Sequence, residues 1–178
     1  MNKKVTILMS QTGENNKKRI MFGLQRLKQT LIRKGYEVFE ETLTENYAEY
    51  RNIEGEKIYV GIVAKDSFIS WLEENELLIY HSKKPGYEGM YLESIPARLT
   101  LVVGGDETGA LYGCLELIDR IDEQGEIPRE IAYYDAPVMK LRGPAIGLQK
   151  PKLEPPRLTY EYPITPDRFP WFYDKAMW

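Results

Sequence analysis

Two chemically versatile residue types are nearly missing from this 178-residue chain, which has one cysteine, Cys114, and one histidine, His81. A lone cysteine excludes an internal disulfide and any cysteine-based zinc site. A Ser-His-Asp or Cys-His catalytic arrangement would have to use His81 alone, and the residue reads as a surface or turn histidine. No converging set of His, Asp and Glu has metal-ligand spacing, so no metal and no cofactor are expected. Neither a G-x-x-x-x-G-K-S/T nor a G-x-G-x-x-G pattern is present. No apolar run approaches the roughly 20 residues that span a bilayer, so no membrane partner is expected. Met1-Asn2-Lys3-Lys4 has the charge of a signal-peptide start. The apolar run behind it, Val5 to Met9, is shorter than an h-region of about 7–15 residues and reads better as a first strand. Either the protein is cytoplasmic, or a leader has been removed from a periplasmic or secreted parent. Basic charge is also scarce: the net charge is −3 and the pI about 5.4, which argues against a nucleic-acid partner. The short clusters Lys17-Lys18-Arg19 and Arg33-Lys34 read as solvated helix faces.

What the chain does contain is a globular composition, 43% hydrophobic and 29% charged. Val5 to Met9 is a β-branched apolar run, hence a buried strand. Ile20, Leu24, Leu27 and Leu31 then recur at helical spacing, and Gly35 offers the left-handed conformation that ends many helices. Tyr36 to Glu40 alternates and predicts a second strand, so the opening forms a βαβ unit. Ile58 to Val63 predicts another strand, after which Asp66 or Ser67 caps a short helix carrying Phe68, Trp71 and Leu72. Tyr91–Ile95 and Leu99–Val103, joined through Pro96-Ala97, are too close for a parallel crossover and predict an antiparallel hairpin. A helix from Thr108 to Ile121 should bury Leu111, Cys114, Leu115 and Ile118, which makes Cys114 a core residue and not a reactive thiol.

The character changes near Asp135. Prolines stand at 151, 155, 156, 163, 166 and 170, a density that favours extended segments over ladders or helices. Residues 1–134 are therefore expected to form one α/β domain and 135–178 an extended Pro-rich strap. The strap ends in Trp171-Phe172-Tyr173-Asp174-Lys175-Ala176-Met177-Trp178. Four aromatics in so short a stretch need a surface to pack on, which points to further chain beyond Trp178.

Three motifs carry a resemblance. Glu88-Gly89-Met90-Tyr91, Leu101-Val102-Val103-Gly104-Gly105 and Thr108-Gly109-Ala110-Leu111-Tyr112-Gly113 with Leu117 follow one another in order. Together they resemble the accessory α/β domain that precedes the catalytic barrel in several glycoside hydrolases: β-hexosaminidases, α-glucuronidases and O-GlcNAcases. The first resembles that domain's E-G-Y strand start with Met90 inserted. The last resembles its R-G-A-x-Y-G-x-x-x-L helix, with Thr108 where arginine is common. Asp135-Ala136-Pro137 and then Leu141-Arg142-Gly143 resemble the D-x-P-x-x-x-x-R-G entry into the first barrel strand. That resemblance makes Arg142 the one candidate substrate contact, at the sugar-facing end of a barrel this chain lacks.

Gly104-Gly105-Asp106-Glu107 also matches the G-G-D-E of hexosaminidase active sites, with Asp106 orienting and Glu107 as general acid. That chemistry needs carboxyls disposed about a sugar in an eight-fold barrel of about 250 residues, and no long β/α repeat precedes Gly104. The pair reads better as the first turn of a helix, where carboxylates favour the positive dipole end. Glu40-Glu41 and Glu73-Glu74 read as solvated faces and helix ends.

The expected fold is a two-layer α/β sandwich, a mixed sheet of four or five strands with helices on one face. The expected role is a non-catalytic N-terminal domain that supports the barrel of a glycoside hydrolase and meets glycan only through it. No catalytic residue is assigned to this chain. Two alternatives stand beside this reading. One is a free-standing carbohydrate-binding module that stacks sugar on Tyr160, Tyr162, Trp171, Phe172, Tyr173 or Trp178. The other is a small nucleotide or phosphate binder using Gly104-Gly105 ahead of a helix N-terminus.

Overall fold

The computed structural model describes residues 3–10, 17–63 and 65–139, and Met1–Val138 forms one compact unit. Its sheet has the order β2-β1-β3-β5-β4-β6. In chain order the strands are β1 (Lys3–Met9), β2 (Tyr36–Thr42), β3 (Glu56–Ile62), β4 (Met90–Ile95), β5 (Leu99–Gly104) and β6 (Ala132–Asp135). The helices are α1 (Lys18–Arg33), α2 (Ser67–Glu74) and α3 (Glu107–Gln124), with a 3-10 turn at Tyr47–Asn52. The first three pairings, β1 with β2, β1 with β3 and β3 with β5, are parallel. β4 runs antiparallel to both its neighbours, β5 and β6, so the sheet is mixed.

Period-2 alternation divides the apolar residues between two faces. Val5, Ile7, Ile58, Val60 and Val102 meet α1 and α3 on one face. Leu8, Tyr59, Leu101 and Val103 meet α2 and the 3-10 turn on the other. The two long helices thus share one face, and α2 with the 3-10 turn covers the opposite one. On that side Phe68 packs edge-on to Tyr59 at 4.7 Å and to Tyr50 at 5.7 Å.

The stretches read as strands at 5–9, 36–40, 58–63, 91–95 and 99–103 all became strands, with β3 ending at Ile62, and the predicted hairpin is β4–β5. Gly35 has the left-handed φ of 82° that its place after α1 requires. Asp66 is the residue that caps α2, its Oδ1 accepting the Phe68 and Ile69 N–H groups.

Two details differ from the sequence reading. The sheet has six strands and not four or five, because Ala132–Asp135 adds a short edge strand. Its Ala-Tyr-Tyr-Asp sequence is half exposed and carries no apolar alternation. The inner stripe of α3 is Ala110, Cys114, Leu117 and Ile121 together with Gly109 and Gly113. Leu111, Leu115 and Ile118 are only half-buried. The glycines rotate the helix: its closest line of approach to the sheet runs through the residues without side chains, and larger ones flank that line.

Gly113 shows how close the approach is, since a Cβ there would lie 2.6 Å from Val102 Cγ1. At Gly109 the obstacle is backbone, the Gly89 carbonyl oxygen at 2.0 Å. A side-chain tip can turn aside, but this carbonyl is held between two segments, so Gly109→Ala must push α3 off the sheet. Overpacking typically costs about 1–3 kcal/mol and occasionally more. We expect Gly109→Ala at or above the top of that range in urea unfolding. Gly86→Ala should stay within about 1 kcal/mol, since nothing lies within 4 Å of a Cβ at that position. Equal losses from the two substitutions would contradict the packing described.

Candidate functional site

The three motifs that carried the resemblance meet at one end of the sheet. Gly105 N–H donates to the Gly89 carbonyl at 2.9 Å, and Gly89 N–H donates to the Gly86 carbonyl at 2.9 Å. A Cβ on Gly105 would lie 1.7 Å from the Gly86 oxygen. The Glu88-Gly89-Met90-Tyr91 segment is therefore threaded against the Gly104-Gly105 turn and the first turn of α3, which leaves no room for a Cβ on Gly105 or Gly109.

Asp106 is the clasp of this arrangement. Its backbone is extended, it is the N-cap of α3, and its Oδ1 accepts the Thr108 and Gly109 N–H groups, each at 2.9 Å. Its Oδ2 accepts the Glu88 N–H at 2.9 Å, in a turn where Glu88 has a positive φ of 52°. Both carboxylate oxygens are thus committed to backbone donors, and a cap of this kind contributes about 1 kcal/mol. Glu107 is the first residue of α3, partly exposed and 3.8 Å from Lys17 Nζ. The pair serves the helix terminus, as its first-turn position predicts.

Thr108, which stands where the resembling domains commonly have arginine, accepts a hydrogen bond from Arg19 Nη1 at 2.7 Å. A guanidinium from α1 thus reaches the position where the motif would supply its own. Cys114 is fully buried among α3's core contacts, and burial pushes its thiol up to about 12. Arg142 and the strap's aromatics lie outside the described residues.

Sequence reasoning passed over Glu93 of β4, which lies on the α2 side of the sheet and is only 8% exposed. Its Oε1 is 3.5 Å from Nε2 of the mostly exposed His81, while its buried Oε2 has no hydrogen-bond partner among the described residues. His81 N–H reaches the Tyr91 hydroxyl at 3.4 Å, and Tyr80 OH donates to Glu73 Oε1 at 2.7 Å. His81 thus fastens the loop after α2 to the sheet, and Tyr80 fastens it to α2. The signal was present in Tyr91-Leu92-Glu93-Ser94-Ile95: apolar residues fill both faces of this strand, so an acid within it has no outward side to occupy.

Burial holds the Glu93 carboxyl above its ordinary value, against the opposing pull of His81 and Tyr91. A raised folded-state value means that the native state favours the protonated acid. Its contribution to stability is full below the ordinary carboxyl value and is lost as pH rises through the folded one. Glu93→Gln removes the buried charge, so its melting temperature should exceed the parent's by a few degrees at pH 7.5. The two should converge near pH 4. A variant less stable than the parent at pH 7.5 would contradict this.

No family model matches the sequence, and no curated protein matches it. Solved structures do. The chain is 34% identical over 98% of its length to a GH138 enzyme targeting pectin rhamnogalacturonan II, with a TM-score of 0.57, and covers 21% of that chain. It also aligns with BtGH115A, a family GH115 4-O-methyl-α-glucuronidase with specificity for decorated arabinogalactans. There the identity is 18% over 76% of this chain and 18% of that one, at a TM-score of 0.49. With CpGH84D the identity is 14% over 74% of this chain and 19% of that one, at a TM-score of 0.48. The chain thus spans about a fifth of the length of each of these proteins. In the GH138 enzyme the matching stretch is one small part of a much larger polypeptide. Over almost its whole length, this chain is similar to a small α/β accessory domain of glycoside hydrolases and not to their catalytic domain.

Proposed function

We propose that the chain is the N-terminal accessory part of a carbohydrate-active glycoside hydrolase. In this reading it buttresses the catalytic barrel and helps shape the rim of the active site, and it does no chemistry of its own. The observation that carries the reading is the 34% identity across 98% of this chain to a fifth of a GH138 enzyme. The commitment of both Asp106 oxygens to backbone N–H groups supports it from the chemical side, since an acid so engaged cannot serve a sugar.

The route of the chain agrees. β6 brings Asp135 opposite Met90, so the polypeptide leaves the sheet beside Gly89, at the end where the glycine motifs interlock. Tyr87, 77% exposed, and Val138, fully exposed, stand on the two segments that reach this end. In this reading, on the sequence motifs alone, residues 135–178 are the strap into the barrel's first strand and Arg142 belongs to its sugar-facing end. The finer kinship with β-hexosaminidases rests on the sequence motifs, and the glycan would be met through the barrel. Pectic glycan is the first substrate class to try, because the GH138 relative targets it.

The 178-residue chain, purified and shown folded by circular dichroism, should release no product from nitrophenyl glycosides or from pectic polysaccharide. Hydrolysis above the buffer rate that survives repurification would overturn the non-catalytic reading.

A further inference from the structure

At the opposite end of the sheet, where the parallel strands begin, lies a cavity of about 470 Å³. That is within the range of small-molecule sites, roughly 300–1,000 Å³. Its walls come from the start of β1, the loop before β3, the β4–β5 turn and the segment following α3.

These walls are held in place. Lys57 is only 2% exposed, and its Nζ donates to the Ile53 carbonyl at 2.7 Å and the Gly55 carbonyl at 3.0 Å, fixing the loop before β3. Its backbone N–H donates to the Arg98 carbonyl at 2.8 Å, fixing the β4–β5 turn. The third wall hangs on Tyr36, whose hydroxyl accepts the Ile127 N–H at 3.0 Å. The turn itself is unusual. Ala97 and Arg98 have φ of 65° and 56°, where hairpins normally place Asn or Gly. The chain keeps a strained arginine at the cavity's rim, and strain of this kind collects at functional positions.

The charges lining the cavity are mixed and incompletely paired. Lys3 pairs with Glu126 at 3.3 Å, whereas Arg98 reaches Glu56 only at 3.9 Å. Among the described residues, the side chains of Lys4, Arg129 and Glu54 have no ion pair or hydrogen bond. Arg98, Arg129 and Glu56 also line a smaller adjoining cavity of about 170 Å³, so they stand where the two spaces meet.

We infer that this cavity binds a small sugar acid, a ligand with one carboxylate and several hydroxyls. Arg98 and Arg129 take the carboxylate, because a guanidinium fork matches its planar pair of oxygens. Glu54 and Glu56 accept hydrogen bonds from the hydroxyls, as ionised carboxylates accept only. That division uses both signs of charge. A phosphate dianion would bring a second negative charge to a lining with three glutamates and offer few hydroxyls to Glu54 and Glu56, and a neutral sugar would leave the arginines unanswered. The site requires no barrel, so it stands or falls separately from the accessory-domain reading.

The test is an NMR titration of the ¹⁵N-labelled 178-residue chain with galacturonic acid, galactose and inorganic phosphate in turn. Galacturonic acid should give saturable shifts at the amides of Gly55, Arg98, Ile127 and Arg129. Galactose and phosphate should bind at least tenfold more weakly. The doubly substituted Arg98→Ala/Arg129→Ala chain should weaken galacturonic acid at least tenfold, with a melting temperature within a few degrees of the parent's, since both side chains are exposed. Should that variant unfold, the single Arg129→Ala chain replaces it, with the same direction expected. Absence of saturable shifts at these amides would overturn the proposal. So would galactose or phosphate binding as tightly as galacturonic acid, or unchanged affinity in a folded arginine variant.

Discussion

The structure depends on one set of contacts between backbone and backbone. Three glycines, 86, 89 and 105, with the cap of α3 at Asp106, pass so close together that no Cβ fits on Gly105 or Gly109. Such contacts are stiff, because a carbonyl has no rotamer to escape into, and interiors packed to crystal-like density transmit such misfits. This interlock sets the depth of α3 on the sheet, and α3 in turn positions α1, since Gly23 of α1 abuts Cys114. The start of β4 and the end of β5 are tied there as well, and β6 leaves the sheet beside the same point.

The same constraint explains why an acidic pair that resembles a catalytic signature stands at this turn. A tight glycine turn before a helix leaves four N–H groups without intrahelical partners, and aspartate at the N-cap answers two of them here. Glycine-glycine-aspartate is therefore a natural outcome of turning a strand into a closely packed helix. In an enzyme, a similar string at a barrel rim would face open space and sugar. Here Asp106 is taken up by peptide N–H groups from its own helix and from the Glu88 turn. Sequence similarity to a fifth of a large hydrolase and local chemistry thus point the same way.

Much of this was legible in the residues. Alternation in Tyr36–Glu40, the short connection between Tyr91–Ile95 and Leu99–Val103, the helical spacing of Ile20 to Leu31, and glycine at 35 each reflect a local rule, and local rules survive folding. Asp106 and Glu107 were readable as a helix start for the same reason. The stripe of α3 was misread at Leu111, Leu115 and Ile118 because periodicity ranks large apolar residues first. The helix instead turns its smallest residues toward the sheet, a choice fixed by Val102 and Gly89, which approach it from other strands. β6 escaped notice because an exposed edge strand of four residues carries no hydrophobic pattern. The charged cavity was equally hidden, since Lys4, Gly55, Arg98 and Arg129 come together only through the topology. Arg142 and the aromatic tail belong to the part of the reading that lies outside the described residues.

The two ends of the sheet therefore have different characters: one interlocked and adjoining the departing chain, the other concave and charged. The central claim is that this chain is one small part of a larger hydrolase. The most direct measurement is to read the source gene past the codon for Trp178. The account predicts an open frame that continues for several hundred residues of alternating strand and helix pattern, as a barrel of about 250 residues requires. A stop codon immediately after Trp178 would contradict it.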